Sequence, residues 1–472
     1  MIFYVTFILF IGVILFFANV KTFILNYTLR LGIFNYSLIL LCDKVAWTST
    51  GLIVLVSLIV FKFTDLYMEG DIFKDRFFYL LWTFVLSMII VVMAYRLPML
   101  LIGWDILGIT SFLIILYYYQ ISNFRRAIIT YTVNRIGDAL IISSLLYFSL
   151  AGSLNFGKLV GFLGLGLTIA AFTKSAGYPF RVWLPLAIDA PTPVRALVHS
   201  STLVTAGFFI IRKFDFHSCN PLTYVGVLTF FLGSLSASYV HDLKKIIAMS
   251  TLANLGLIMI VTGLGNFDII IFHLFSHALF KAPLFLIAGL ILMDRFGSQD
   301  SRRLPSLASP FLSVLVTYFT FSSLAIFSFS TYFSKHGIIA GLQMECLRPL
   351  TLPFLILGLI FRFFYTFRLI TQLLGNTALG VRSSAVSRKV QWTLSQAAFF
   401  SLALGNFLST RLIFEFSFST PSLPLVRLIF ICLIISGYWT SFGGAFFYLN
   451  SAIDISTNLS KFKDSSFWRL KW

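Results

Sequence analysis

Apolar residues in this chain do not alternate with polar ones over long stretches. They fill windows of about 20 positions, the length that carries an α-helix across ~30 Å of hydrocarbon. Such windows cover 2–18, 47–63, 79–95, 99–119, 127–150, 164–188, 192–213, 221–240, 244–263, 268–293, 310–345, 353–374, 391–410 and 425–449, about fourteen in all. A membrane barrel needs sustained alternation at period two, which these windows lack, and helices satisfy every backbone group internally where lipid offers no water. The expectation is an all-α, polytopic membrane helix bundle, joined by short connections into one body. Residues 2–18 lack a basic leader or cleavage pattern and read as a retained span. The stretch 23–41 is apolar but holds Asn26, Arg30 and Asn35, and reads as a re-entrant or interfacial segment.

Two windows carry signs of interruption. Within 164–188, Lys174 is followed by Pro179 and Pro185. Proline removes an intrahelical hydrogen bond and collides with the preceding turn, so a break is predicted near Lys174–Pro179. The window 310–345 is too long for one straight crossing and passes through Ser322, Ser323, Ser328, Ser330 and Thr331 to Lys335 and His336. Broken helices at membrane depth are tolerated where they line a polar cavity, and a pair of them points to a transport site.

Composition sharpens the class. Of 472 residues, 58% are hydrophobic and 11% charged, against about 25% charged in a soluble domain. The net charge of +18 would suggest nucleic acid in a soluble protein. Here the basic residues fall in short connections (Lys21, Lys62, Lys74, Arg76, Arg125, Arg126, Arg212, Lys213, Arg302, Arg303), as topology and contact with anionic lipid such as cardiolipin require; no nucleic-acid partner is expected. Lys461, Lys463, Arg469 and Lys471 lie among aromatics, as in an interfacial anchor. The four cysteines, Cys42, Cys219, Cys346 and Cys432, are far apart and unpaired with histidine, which disfavours an iron–sulfur or zinc site. No glycine-rich nucleotide fingerprint follows a strand, so any redox cofactor of a coupled process belongs to another polypeptide. The 55 phenylalanines fit a T-rich gene and hint at organellar coding.

An ionisable group near the bilayer centre costs ~2.5–3.5 kcal/mol or more, so each one needs a partner or a wet cavity. Asp105 either caps a helix near a membrane face or pairs with a cation on a neighbouring helix, for which Lys174 is the natural choice. Lys174 itself either snorkels, forms a fixed salt bridge, or loads and unloads a proton. His199 follows the turn Ala190-Pro191-Thr192-Pro193-Val194 and reads equally as a bonded core histidine or a proton carrier. His273, His277 and Lys281 are four apart, so all three lie along one helix face, drifting ~40° per step. This spacing can also ligate zinc, but no acidic third ligand is near. With Lys335 these residues form a series of acid, base and imidazole in separate spans, as a proton relay requires. Arg135 and Asp138, three apart, pair with each other or with the adjacent helix, a structural pair being at least as good a reading as a functional one.

These residues sit in motifs that resemble one family, chain 5 of NADH:ubiquinone oxidoreductase, the distal antiporter-like membrane subunit of respiratory complex I. The stretches are Gly103-Trp104-Asp105 through Gly108, Asn134 to Asp138, Thr173 to Ala176, Trp183 to Val194, His199 to Gly207, Asp242 to Thr251, His273 to Phe285 and Phe333 to Lys335, with weaker similarity from 41 through Tyr67-Met68-Glu69-Gly70-Asp71. They occur in family order, and His199 favours chain 5 over its sibling chain 4, which usually has lysine there. The resemblance implies a proton channel of two inverted five-helix repeats, at 99–240 and 241–374, between N-terminal helices at 1–98 and C-terminal helices with a basic tail at 375–472. It implies an acid–lysine pair of Asp105 and Lys174, a central relay of His199, His273, His277 and Lys281, and an exit lysine at Lys335. It also implies NADH, FMN, iron–sulfur clusters and ubiquinone on other subunits, partners including chain 4 and accessory subunits, and a mitochondrial inner membrane. The chain departs from the family pattern at Asp105 (glutamate), His336 (aspartate), Arg195 (serine) and Asn254 (glutamine). Against the family pattern the expectation is a shorter chain, lacking one span between 18 and 47 and the long lateral helix that follows the C-terminal helices. Two other classes share part of the pattern: the large subunit of a multi-subunit sodium/proton antiporter, and a pump-dead subunit that ends the membrane arm.

Overall fold

The computed structural model describes residues 23–31, 34–150, 162–200, 202–213, 220–265, 267–294, 299–301, 310–325, 331–332, 334–335, 337–338, 351–375 and 390–401. The windows 2–18 and 425–449, and residues 402–410 of the window 391–410, lie outside them.

Long apolar runs with few Gly or Pro interruptions become helices. They are α1 (Lys44–Tyr67), α2 (Lys74–Met93), α3 (Leu97–Ile115), α4 (Ile121–Leu150), α5 (Phe162–Ser175), the single turn α6 (Trp183–Leu186), α7 (Thr192–Val198) and α8 (Leu203–Lys213). There follow α9 (Asn220–Tyr239), α10 (Leu243–Leu264), α11 (Phe267–Asp294), α12 (Pro310–Leu324), α13 (Thr351–Gly375) and α14 (390–401). Among the described residues eight helices are long and apolar enough to cross a membrane: Val45–Tyr67, Lys74–Met93, Leu97–Ile115, Thr192–Lys213, Pro221–Tyr239, Leu243–Leu264, Ile269–Met293 and Pro353–Leu373. The protein is a multi-pass membrane helix bundle.

One segment departs from an all-α reading. Residues 23–42 form an antiparallel hairpin of β1 (Phe23–Leu31) and β2 (Phe34–Cys42). Its cause lies in a short alternation: Asn26, Thr28 and Arg30 occupy every second place between Leu25 and Leu31. The register sets Thr28 opposite Ser37 and Arg30 opposite Asn35, while Asn26 lies opposite Ile39. Leu40 also bridges to Ala94, just past the end of α2.

Small residues let the helices come close. A Cβ on Gly256 of α10 would lie 2.7 Å from Phe230 Cα, and one on Gly233 of α9 would lie 2.7 Å from Ala253 N. The two helices therefore touch backbone to backbone, as small residues permit where lipid supplies no hydrophobic drive. Basic side chains close two helix ends: Lys213 Nζ donates to the carbonyls of Val91 (2.8 Å) and Ala94 of α2, and Arg368 Nη2 donates to Ala237 (3.0 Å) and Val240 (2.5 Å) at the end of α9.

Both predicted interruptions fall at an alanine in the left-handed region. Helix α5 stops at Ser175, and Ala176 takes φ 55°. The freed carbonyl of Phe172 accepts from Gly177 N (3.0 Å) and that of Thr173 from the Trp183 indole (2.7 Å). Helix α12 ends at Leu324, and Ala325 takes φ 65° before the helical residues 331–332, 334–335 and 337–338. The window 192–213 also divides, into α7 and α8. Here Thr202 Oγ1 donates to the Leu197 carbonyl (2.9 Å) and Ser200 Oγ to that of Ala196, so hydroxyls compete for the groups that would continue the helix.

Candidate functional site

Helices α3, α4 and α5 build a first polar cluster. Lys174 is fully buried in the last turn of α5, and its ammonium lies over the Trp104 ring (4.2 Å) and donates to the Trp104 carbonyl (2.6 Å). Gly108 faces this ammonium: a Cβ there would lie 3.6 Å from Lys174 Nζ, an ordinary contact. The cation that holds Asp105 is Arg135 of α4, at 3.1 Å, rather than Lys174. The same guanidinium atom reaches Asp138 at 3.1 Å. The aspartate side chain is short, whereas one nitrogen at the end of the long arginine meets both carboxylates. Asp138 Oδ1 also accepts from the Trp104 indole (2.8 Å), so Trp104 joins the lysine to the ion-pair network through its carbonyl, ring and N–H.

A second cluster fills the space between α10, α11, α12 and α13. His273, His277 and Lys281 are all buried on one side of α11. Lys281 Nζ donates to Ser250 Oγ of α10, which the buried Tyr365 of α13 also reaches. His273 Nδ1 meets Ser334 Oγ at 3.0 Å, beyond the break after α12, and Lys335 Nζ donates back to the Ser323 carbonyl. His277 faces the Ser200 backbone, although neither of its ring nitrogens meets a protein atom at hydrogen-bond geometry. His199 caps α7 with its ring 6.2 Å from that of Phe285 on α11. The step between α7 and α8 thus brings His199 toward the α11 stripe.

Arg362 of α13 escapes a reading from sequence. It is 2% exposed, donates to Asn254 Oδ1 (2.5 Å) and the Ser323 carbonyl (2.9 Å), and so shares a partner with Lys335. A basic residue amid Phe361, Phe363 and Phe364 in an otherwise apolar window was the available signal. No carboxylate with a described side chain pairs with Lys281, Lys335 or Arg362. Among the described residues, no three His, Cys, Asp or Glu side chains gather as a metal site would require.

Residues 94–360 match the family described as NADH:quinone oxidoreductase/Mrp antiporter, TM. The chain is 38% identical over 321 residues to NADH-ubiquinone oxidoreductase chain 5 of Artemia franciscana, covering 65% of this chain and 59% of that one. It is 37% identical over 390 residues to that of Mytilus edulis (79% and 67% covered) and 31% identical over 449 residues to that of Aedes aegypti (90% and 77%). Among solved structures, the Mrp complex from Dietzia sp. superposes with a TM-score of 0.77 at 20% identity, covering 97% of this chain and 57% of that chain. The membrane-bound sulfane sulfur reductase, an archaeal respiratory membrane complex, gives 0.70 at 18% identity (84% and 70%). At these identities the two structures show a shared fold.

Proposed function

Because this chain belongs to the NADH:quinone oxidoreductase/Mrp antiporter membrane family, and within it to the NADH-ubiquinone oxidoreductase chain 5 proteins, we propose that it is a proton-translocating subunit of a respiratory NADH:ubiquinone oxidoreductase. The observation that carries this reading is the alignment of His273, His277 and Lys281, buried together with Lys335 and His199 near them, and with Lys174 buried in the other polar cluster. Each offers a proton donor or acceptor on a separate turn or helix, and together they line a route through the bundle. Asp105 completes the series through Arg135, while Arg135 and Asp138 serve as a structural pair. NADH, FMN, iron–sulfur clusters and ubiquinone are held by other subunits, and this chain performs no redox step. Quinone reduction there would shift the buried charges here and move protons against a potential worth ~2.3 kcal/mol per 100 mV.

We read the chain as about fourteen crossings arranged in two inverted five-helix repeats, and the matching breaks at Ala176 and Ala325, each with a buried lysine bonded to a carbonyl, support that symmetry. The Asp105–Arg135 pair lies midway along α3 and α4 yet is about one-third exposed (32% and 37%). A half-bare ion pair at that depth favours a protein neighbour over lipid, as the reading of a subunit beside chain 4, accessory subunits and cardiolipin in a mitochondrial inner membrane requires.

Two experiments test this. The chain should appear by mass spectrometry in a large assembly that stains for NADH oxidation on a native gel; recovery only from a smaller, NADH-inactive assembly would move the reading to a cation/proton antiporter. Lys174→Met with Lys281→Met should abolish the pumping share of this subunit in reconstituted complex, and unimpaired pumping in the assembled double variant would defeat the relay.

A further inference from the structure

A cavity of about 10 Å3, room for a single water, lies between α3, α4, α6, α7 and the start of α8; Ser111, Ile115, Thr130, Asn134, Arg195 and His199 are among its lining residues. Three of these bring buried polar atoms that no protein group satisfies: Asn134 Oδ1, Arg195 Nε and Nη1, and His199 Nδ1. Arg195 is 2% exposed and donates only through Nη2, to the Ala190 carbonyl at 2.6 Å. No carboxylate with a described side chain pairs with it. The groups in electrostatic range are Tyr67, Tyr118, Lys244 and His199. Tyr67 ends α1 and Tyr118 follows α3, so this guanidinium stands near the membrane face that carries the Met68–Phe73 turn. His199 lies one turn deeper, its backbone N–H bonded to the Arg195 carbonyl (3.0 Å).

We infer that Arg195 is an electrostatic barrier that keeps cations, hydronium above all, from passing through this cavity to His199. A guanidinium cannot shed its proton, so its charge is permanent. In a space for one water, a second positive charge would sit beside it with little screening. A water held there would accept from the free Nε–H and Nη1–H and donate toward Asn134 Oδ1, an orientation that cannot accept a proton arriving from the face. Fixed arginines in narrow pores exclude protons by the same physics. The inference rests on the proton-translocating reading above. It assigns Arg195 to preventing leak, and not to the relay.

The test is passive proton conductance of the whole complex in proteoliposomes under a potassium diffusion potential, without NADH, followed with a pH-sensitive dye. Arg195→Gln keeps much of the length and removes the charge, and should leak about tenfold faster or more, while Arg195→Lys stays near wild type. Arg195→Met, a second neutral variant, gives the same reading should the glutamine form fail to assemble. Neutral variants that assemble and are as tight as wild type, or a lysine variant that leaks as they do, overturn the barrier. NADH-driven pumping of the same wild-type vesicles separates the two readings: its presence with tight neutral variants rejects only the barrier, and its absence rejects the proton-translocating function itself.

Discussion

Asp138 offers the clearest separation between a group that carries protons and one that positions others. Its carboxylate, 7% exposed, takes Arg135 at 3.1 Å on one oxygen and the indole N–H of the fully buried Trp104 at 2.8 Å on the other. Arg135 is 37% exposed, so the gross attraction of ~4 kcal/mol at an effective dielectric of ~20 is discounted to about 1 kcal/mol net. Asp138→Asn removes that charge but keeps an acceptor for Trp104, and leaves Arg135 its bond to Asp105; the cost should be about 1 kcal/mol. Asp138→Ala also strands a buried indole donor, adding about 1–3 kcal/mol. Thermal inactivation of the purified complex, followed by the NADH-oxidising band on native gels, should therefore fall in the order wild type, asparagine, alanine. Protons pumped per NADH should be unchanged in the asparagine variant. An assembled Asp138→Asn complex that oxidises NADH without pumping would refute the structural assignment and place Asp138 in the relay. Equal destabilisation by asparagine and alanine would show that the Trp104 bond contributes nothing.

Three further variants test the packing around these clusters. Gly256→Val should prevent assembly, because its Cβ would sit 2.7 Å from Phe230 Cα and force α9 from α10, an overpacking cost of about 1–3 kcal/mol or more; Gly166→Ala in α5, where nothing lies within 4 Å, should assemble normally and gain about 0.5–1 kcal/mol. Subunit abundance on native gels reads both. Trp183→Phe removes the donor to the Thr173 carbonyl at the α5 break and should cost about 1–3 kcal/mol, seen as faster proteolysis near 175–183 in the detergent-solubilised complex.

The parts of this architecture that can be read from sequence are those set by local chemistry. Pro179 and Pro185 announce the break after Lys174, and the four-residue spacing of His273, His277 and Lys281 places them together whatever surrounds α11. The strand pair β1–β2 hides because its composition is mostly apolar; only the seven positions from Leu25 to Leu31 betray period two. The choice of Arg135 over Lys174 as the partner of Asp105 depends on how α3, α4 and α5 rotate against one another, which packing decides. Arg362 is obscured for the same reason: its partners, Asn254 and Ser323, lie 108 and 39 residues away. Without them it reads as one more basic residue in a basic chain.

Polar side chains inside this bundle divide into two populations, and the division itself argues for where chemistry can happen. Most buried serines and threonines return their hydroxyl to a carbonyl three or four residues earlier on the same helix, as Thr130, Ser144, Thr173, Ser250, Thr262 and Ser322 do. Such groups are satisfied at home and cost the membrane little. The nitrogens of His199, His273 and His277, of Arg195 and Arg362, and of the Asn254 amide include buried atoms that no protein group satisfies. Leaving a donor or acceptor bare in a low-dielectric interior costs about 1–3 kcal/mol each, and native folds rarely retain several without water or a moving partner. On the proton-translocating reading proposed above, the open valences on these histidines and arginines are where water or a moving proton would be accommodated. A region built only to pack would have spent those positions on leucine.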